Sequence, residues 1–127
     1  MQTLTQPAIY LDEDTADTLY DIASAAPEGS RATAKRLLGE LERAIVVPSR
    51  ELPDNVVRLG VKIAYKDIDT GRVRTGSIVL PQEADVSAGR ISVLSPVGAG
   101  LIGLEEGSAI SWRIGDRETS LLVMKVG

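Results

Sequence analysis

The sequence predicts an α+β fold: a short N-terminal antiparallel helical hairpin over residues 1–47, a linker over 48–55, and a mostly antiparallel β-sheet domain with one short helix over 56–127. Three observations predict it. Two runs of apolar residues at helical spacing flank the breaker Pro27-Glu28-Gly29-Ser30; Pro48 and Pro53 bracket a polar stretch; and from Val57 onward apolar and polar residues alternate at period two.

In the hairpin, Asp12 is placed to cap the first helix, and Asp12, Glu13 and Asp14 favour the positive end of its dipole. Ala16, Leu19, Ile22, Ala23 and Ala26 then form one stripe. Ser30 is the next expected cap, and Ala34, Leu37, Leu38, Leu41, Ala44 and Ile45 form a second, stronger stripe. Two such helices joined by a tight turn zip their stripes together. At roughly 14 residues each they make an arm about 20 Å long. It either projects or lies flat on the domain, since short helices are marginal without tertiary support.

Past the linker, Val57, Leu59, Val61, Ile63 and Tyr65 alternate with Arg58, Gly60, Lys62, Ala64 and Lys66, the clearest strand pattern in the chain. Asp69-Thr70-Gly71 turns it back into Arg72 to Leu80. Asp67 and Asp69 suggest a cation only superficially: turn chemistry accounts for them, and no calcium-loop ligands follow. Arg58, Lys62, Lys66, Arg72 and Arg74 could share one sheet face, which is more often solvated than a contact surface. After a loop from Pro81 to Gly89, Arg90 to Val93 reads as a strand. Ile110, Trp112 and Ile114 alternate again, and Gly115-Asp116 turns the chain into the last strand, Glu118 to Val126.

Between Val93 and Ile110 lies a corner. Pro96 suits a first helical position and Ser95 its cap, so the pair opens a helix that Gly103 closes after about two turns. The exposed tip is expected at Ser95, Pro96 and Val97. Gly98-Ala99-Gly100-Leu101-Ile102-Gly103 matches the dinucleotide spacing G-x-G-x-x-G, but Gly103 and Gly107 end the helix too early for a crossover, so nucleotide binding is rejected.

Composition narrows the chemistry. With 43% hydrophobic residues, 3% aromatics and no Phe, the core must be aliphatic. The absence of His removes a His triad, a His-ligated metal and the usual near-neutral base; the absence of Cys removes thiolate chemistry and disulfides. With no leader pattern and no long apolar run, a cytoplasmic protein without a membrane partner is expected. Residues 1–55 carry ten acids and five bases, and the remainder eight and nine, so the hairpin half is acidic. That balance argues against duplex DNA and suits a basic protein surface.

Asp67 to Gly71, Pro81-Gln82-Glu83-Ala84-Asp85, Ile91-Ser92-Val93, and Ser95-Pro96-Val97-Gly98-Ala99 with Gly103 and Gly107 together resemble the C-terminal domain of the bacterial Gre transcript-cleavage factors (GreA and GreB). The short helices and the segment from Pro48 to Val57 resemble the Rnk-type regulators of nucleoside diphosphate kinase, relatives of the Gre factors. The resemblance implies an FKBP-like topology behind a coiled-coil arm. It also implies docking on the rim of the RNA polymerase secondary channel through Leu94, Ser95, Pro96, Val97 and Gly98. Leu94 stands where some Gre proteins have an Asp, which removes a charge contact.

In Gre factors a long arm carries acidic residues to the catalytic Mg²⁺. Here the tip, Pro27, Glu28 and Gly29, offers one carboxylate on a short lever, so polymerase binding without transcript cleavage, in competition with Gre-type factors, is expected. The expected protein is a monomer, not an enzyme, with no catalytic residue, metal, cofactor or sequence-specific nucleic-acid contact of its own. Peptidyl-prolyl isomerase activity is an alternative from fold analogy, and a cleavage-stimulating elongation factor is another. Direct control of nucleoside diphosphate kinase follows from the family name alone.

Overall fold

The computed structural model describes residues 2–5, 7–114 and 116–127. Eight strands and three helices follow in the order β1 (Gln2–Thr5), β2 (Tyr10–Asp12), α1 (Glu13–Ser24), α2 (Arg31–Arg43), β3 (Ile45–Val47), β4 (Lys62–Asp67), β5 (Val73–Val79), β6 (Arg90–Ser92), α3 (Pro96–Leu101), β7 (Ala109–Ile114) and β8 (Arg117–Val126). The result is a mixed α+β molecule built on a curled sheet.

The helical hairpin forms as its stripes dictate. Asp12 caps α1, its carboxylate accepting from the Thr15 amide at 3.3 Å, and Leu19, Ala23, Ala34 and Leu37 are buried between the helices and the sheet. Ser30, expected to cap α2, makes no side-chain cap bond: a 3₁₀ turn over Glu28–Ser30 leads straight into the helix and supplies the geometry instead. Glu40, 4% exposed, pairs with Arg43, which also donates to the Pro7 carbonyl at 2.7 Å and ties α2 to the incoming chain. Ala44 and Ile45, read as part of the second stripe, lie beyond the helix; Ile45 begins β3, which runs parallel to β2. Within the expected linker, Ser49–Glu51 makes one 3₁₀ turn.

The main sheet has the order β1-β7-β8-β4-β5-β6, antiparallel except for the β5–β6 pair. Two features differ from expectation. The long alternating strand begins only at Lys62, because Gly60 takes φ +79° and the chain turns there; Val57 is instead bonded to the Gly103–Leu104 segment at 2.8 and 2.9 Å. The N-terminal segment, in which no element was expected, supplies the edge strand β1, with Thr3 opposite Trp112.

Register also corrects the basic face. Lys62 and Lys66 share a face with Ala64, but Arg74 lies opposite Tyr65 and takes the other face, where it stays exposed, while Arg58 and Arg72 lie outside the strands. The turn expected at Gly115-Asp116 falls partly on residue 115, outside the described residues.

One hydrophobic cluster runs through hairpin and sheet, joining Leu19, Ala23, Ala34 and Leu37 to Ile63, Ile78, Leu101, Ile110, Trp112 and Val123. The hairpin is therefore packed on the sheet. Its stripes and the inner sheet face bury one another, which supplies the tertiary support that short helices need.

Candidate functional site

The corner after β6 is fixed by three local bonds. The Ser92 carbonyl accepts from the Ser95 amide at 3.0 Å and from the Ser95 hydroxyl at 2.6 Å, and Ser95 Oγ accepts in turn from the Gly98 amide at 3.1 Å. Pro96 then sits at the first position of α3, where its missing N–H costs nothing. Gly98 is required by close approach: a Cβ there would stand 2.1 Å from the Ser92 carbonyl oxygen and 2.9 Å from Val93 Cα.

This geometry divides the five residues expected at the docking surface. Pro96 is exposed, Ser95 and Val97 are half-buried, and Leu94 and Gly98 are interior. Leu94, at 8% exposure, belongs to the core, which leaves little of its side chain for a partner to meet. An apolar side chain at that position plugs the sheet. The protrusion is narrower than the sequence suggested and centres on Pro96.

Beside the corner lies a cleft of about 480 Å³, lined among others by Tyr65, Arg74, Val86, Arg90, Ile91 and Ser95. Val86 is 94% exposed at its rim, an uncommon position for an aliphatic side chain. Arg90 pairs with Asp85 at 3.5 Å, and the Ser87 hydroxyl, bonded to Asp85 at 2.6 Å, leads the interactions that hold that carboxyl below its ordinary range. Burial pushes the Tyr65 phenol up, and the neighbouring Arg74 guanidinium partly offsets this. Among the described residues no carboxylate pairs with Arg74. The cleft is thus an apolar trough with a cationic rim, suited to an aliphatic segment that carries a carboxylate or carbonyl.

The hairpin turn, Pro27, Glu28 and Gly29, is exposed, and Glu28 is its only carboxylate. Among the described residues no group of three or more acidic side chains is arranged to hold a metal ion. Midway along α2, Arg36 lies over the Trp112 ring, 5.0 Å from its centroid, and reaches the Pro96 carbonyl at 3.5 Å. Burial lowers the Arg36 pKa from its ordinary value.

The model for the C-terminal region of the transcription elongation factors GreA/GreB matches residues 52–127, which include the corner and the cleft. The chain belongs to the GreA/GreB family. The model for the Rnk N-terminus matches residues 7–47, the span of the hairpin and its flanking strands. Over 124 residues the chain is 28% identical to the "Regulator of nucleoside diphosphate kinase" of Escherichia coli K12, covering 97% of this chain and 91% of that protein. It is 40% identical over 77 residues to "Transcription elongation factor GreA" of Thermodesulfovibrio yellowstonii, covering 61% of this chain and 49% of the relative. Among solved structures, the "Prokaryotic transcription elongation factor GreA/GreB from Nitrosomonas europaea" superposes with a TM-score of 0.73 at 28% identity, covering 95% of this chain and 98% of that one. That chain thus shares the mixed α+β fold of this protein along nearly its whole length.

The cleft residues Tyr65, Arg74, Val86 and Ile91 were not anticipated as a group. Their one sequence signal is Val86, the one large aliphatic residue in the loop from Pro81 to Gly89.

Proposed function

We propose that this protein is a transcription regulator that binds core RNA polymerase at the secondary-channel rim, does not stimulate transcript cleavage, and competes with Gre-type factors. The observation that carries this reading is the corner whose capping residue, Ser95, lines the cleft of Tyr65, Arg74 and Val86 and is followed at once by the exposed Pro96. Family membership supplies the class of partner, and a rigid projection beside an apolar, cationic trough suits a protein surface rather than a nucleic acid. On this reading residues 56–127, with β1 added at the sheet edge, form an FKBP-like head; 48–55 is the linker; and the hairpin within 1–47 is the arm. A single Glu28 at the turn favours binding without metal sharing.

The test is recovery of core polymerase by the full chain and by Pro96→Asp. An Asp in the first turn of α3 suits the helix dipole, so the corner stays folded while its apolar tip is lost. Recovery should fall with Pro96→Asp; equal recovery would remove the corner from the interface. Added to stalled elongation complexes, the protein should leave RNA 3′ ends at full length, and shortening would refute the non-cleaving part. An isomerase reading is less well supported, because Trp112 is 2% exposed and Tyr65 is the one aromatic lining the cleft.

A further inference from the structure

We propose that Arg36 is a positioning residue that locks the helical hairpin to the Pro96 corner, so that the direction of the arm is fixed before a partner is met. The inference rests on the docking reading for its consequence, but not for its geometry.

Arg36 makes contact with both halves of the molecule. It projects from α2, lays its guanidinium over Trp112 of β7 at 5.0 Å, and extends one nitrogen toward the Pro96 carbonyl at 3.5 Å. The approach is possible because position 100 of α3 is a glycine. A Cβ there would lie 3.1 Å from Arg36 Nη1 and 3.2 Å from Trp112 Cζ3, so a larger residue crowds the seat of the guanidinium and forces it or the ring to give by a few tenths of an ångström. Trp112 is 2% exposed and seated in the core, so the surface on which Arg36 rests is part of the packed sheet. A planar cation on an indole face resists both sliding and tilting, which a lysine ammonium does far less well. The residue whose carbonyl Arg36 touches also carries the exposed pyrrolidine ring, so arm and docking corner are joined through Pro96.

On this basis Arg36 should govern how the arm lies over whatever the head grips, while contributing little to the grip itself. The chain lacks cysteine and has Trp112 as its sole tryptophan, so two readouts are available without background. Spin labels at Glu28→Cys and Lys125→Cys report the distance from hairpin turn to sheet, and acrylamide quenching of Trp112 reports whether its face is covered.

The parent should give one narrow distance and low quenching. Arg36→Ala and, independently, Gly100→Ala should broaden or shift that distance. Arg36→Ala should also raise quenching, and Arg36→Lys should fall between parent and Arg36→Ala. In competition against a Gre factor for core polymerase, Arg36→Ala should displace it at about the parental concentration, because the grip of the head is unchanged. A narrow parental distance and parental quenching in Arg36→Ala would overturn the proposal. Should that variant fail to fold by far-UV circular dichroism, a parental distance in both Arg36→Lys and Gly100→Ala would overturn it equally. Failure of the parent to bind polymerase would instead overturn the docking reading, leaving the distance result to stand by itself.

Discussion

Replacing Gly98 with alanine tests the corner most directly. The added methyl would lie 2.1 Å from the Ser92 carbonyl oxygen, 2.8 Å from its carbonyl carbon and 2.9 Å from Val93 Cα, all backbone atoms that no rotamer change can move aside. Restoring ordinary contact near 3.4 Å requires the first turn of α3 to retreat by roughly 1 Å from β6, about the misplacement that disables a tuned geometry. That retreat breaks the 3.1 Å cap from the Gly98 amide to Ser95 Oγ, worth about 1 kcal/mol. Residual overpacking adds about 2 to 3 kcal/mol, toward the upper end because the obstacles are backbone. The expected destabilisation is therefore about 3 to 4 kcal/mol, or a fall in Tm of roughly 10 to 15 °C for a chain of this size. Thermal and urea melts followed by far-UV circular dichroism measure it, with Gly29→Ala as control, since a Cβ at Gly29 meets nothing within 4 Å. If Gly98→Ala melts within 2 °C of the parent, taken as roughly half a kcal/mol, the close approach is not what shapes the corner.

Asp12→Ala removes the α1 cap and should cost about 1 kcal/mol at neutral pH. Burial raises the Asp12 pKa, but hydrogen bonds from Thr15 and Ser49 outweigh it and the net shift is downward. A depressed carboxylate stabilises the fold above its unfolded value of about 3.9 and loses that contribution as pH falls through the native value, so the parent–variant difference should shrink below pH 4 in urea titrations. A difference that stayed constant down to pH 2 would contradict the cap. Glu40→Gln breaks the pair with Arg43, whose side chains are 5% and 27% exposed, and should lower the urea midpoint by an amount equivalent to about 2 kcal/mol, the Arg43 bond to Pro7 being retained. Val86→Asp, at a 94% exposed site, should leave the melting curve unchanged within about 0.5 kcal/mol yet reduce polymerase recovery. Full recovery would exclude the cleft rim from the interface.

Local hydrogen bonding explains which elements could be read from the chain. Asp12 capping Thr15, Ser95 capping Gly98 with Pro96 behind it, and Gly103 at φ +81° closing α3 all involve residues three to eight positions apart, where side-chain chemistry alone selects the conformation. What escaped the sequence depends on distant partners. The pairing of Thr3 with Trp112 spans nearly the whole chain, and nothing within residues 2–5 announces a sheet edge. Arg74 was placed on the wrong face because parity across β4 and β5 is set by the length of the intervening turn, which puts it opposite Tyr65. The candidate site divides in the same way. Ser95 and Pro96 were legible as a turn. The interior seats of Leu94 and Gly98, and the convergence of Val86 with Tyr65, arise only when β6 pairs in parallel with β5 and carries its preceding loop over the sheet end.

The attachment of the arm bears on its reach more than its length does. Helices of 12 and 13 residues span about 18 to 20 Å, close to the length the sequence suggested. Yet α2 is held at Arg36, five residues from its start at Arg31, so only about 8 Å of helix and the turn at Pro27–Gly29 extend past the point where it touches the corner. The other end is anchored by Arg43 to Pro7 and by Ile45 to Ile9 at 2.9 Å. A lever clamped at both places cannot be lengthened by swinging, and it carries one carboxylate at its free end. Extending it would require helix beyond Arg31 together with further acidic residues at the turn. On the proposed reading, either change alone would leave the geometry short of a metal-sharing arm, because reach without charge supplies no ligand and charge without reach supplies it in the wrong place.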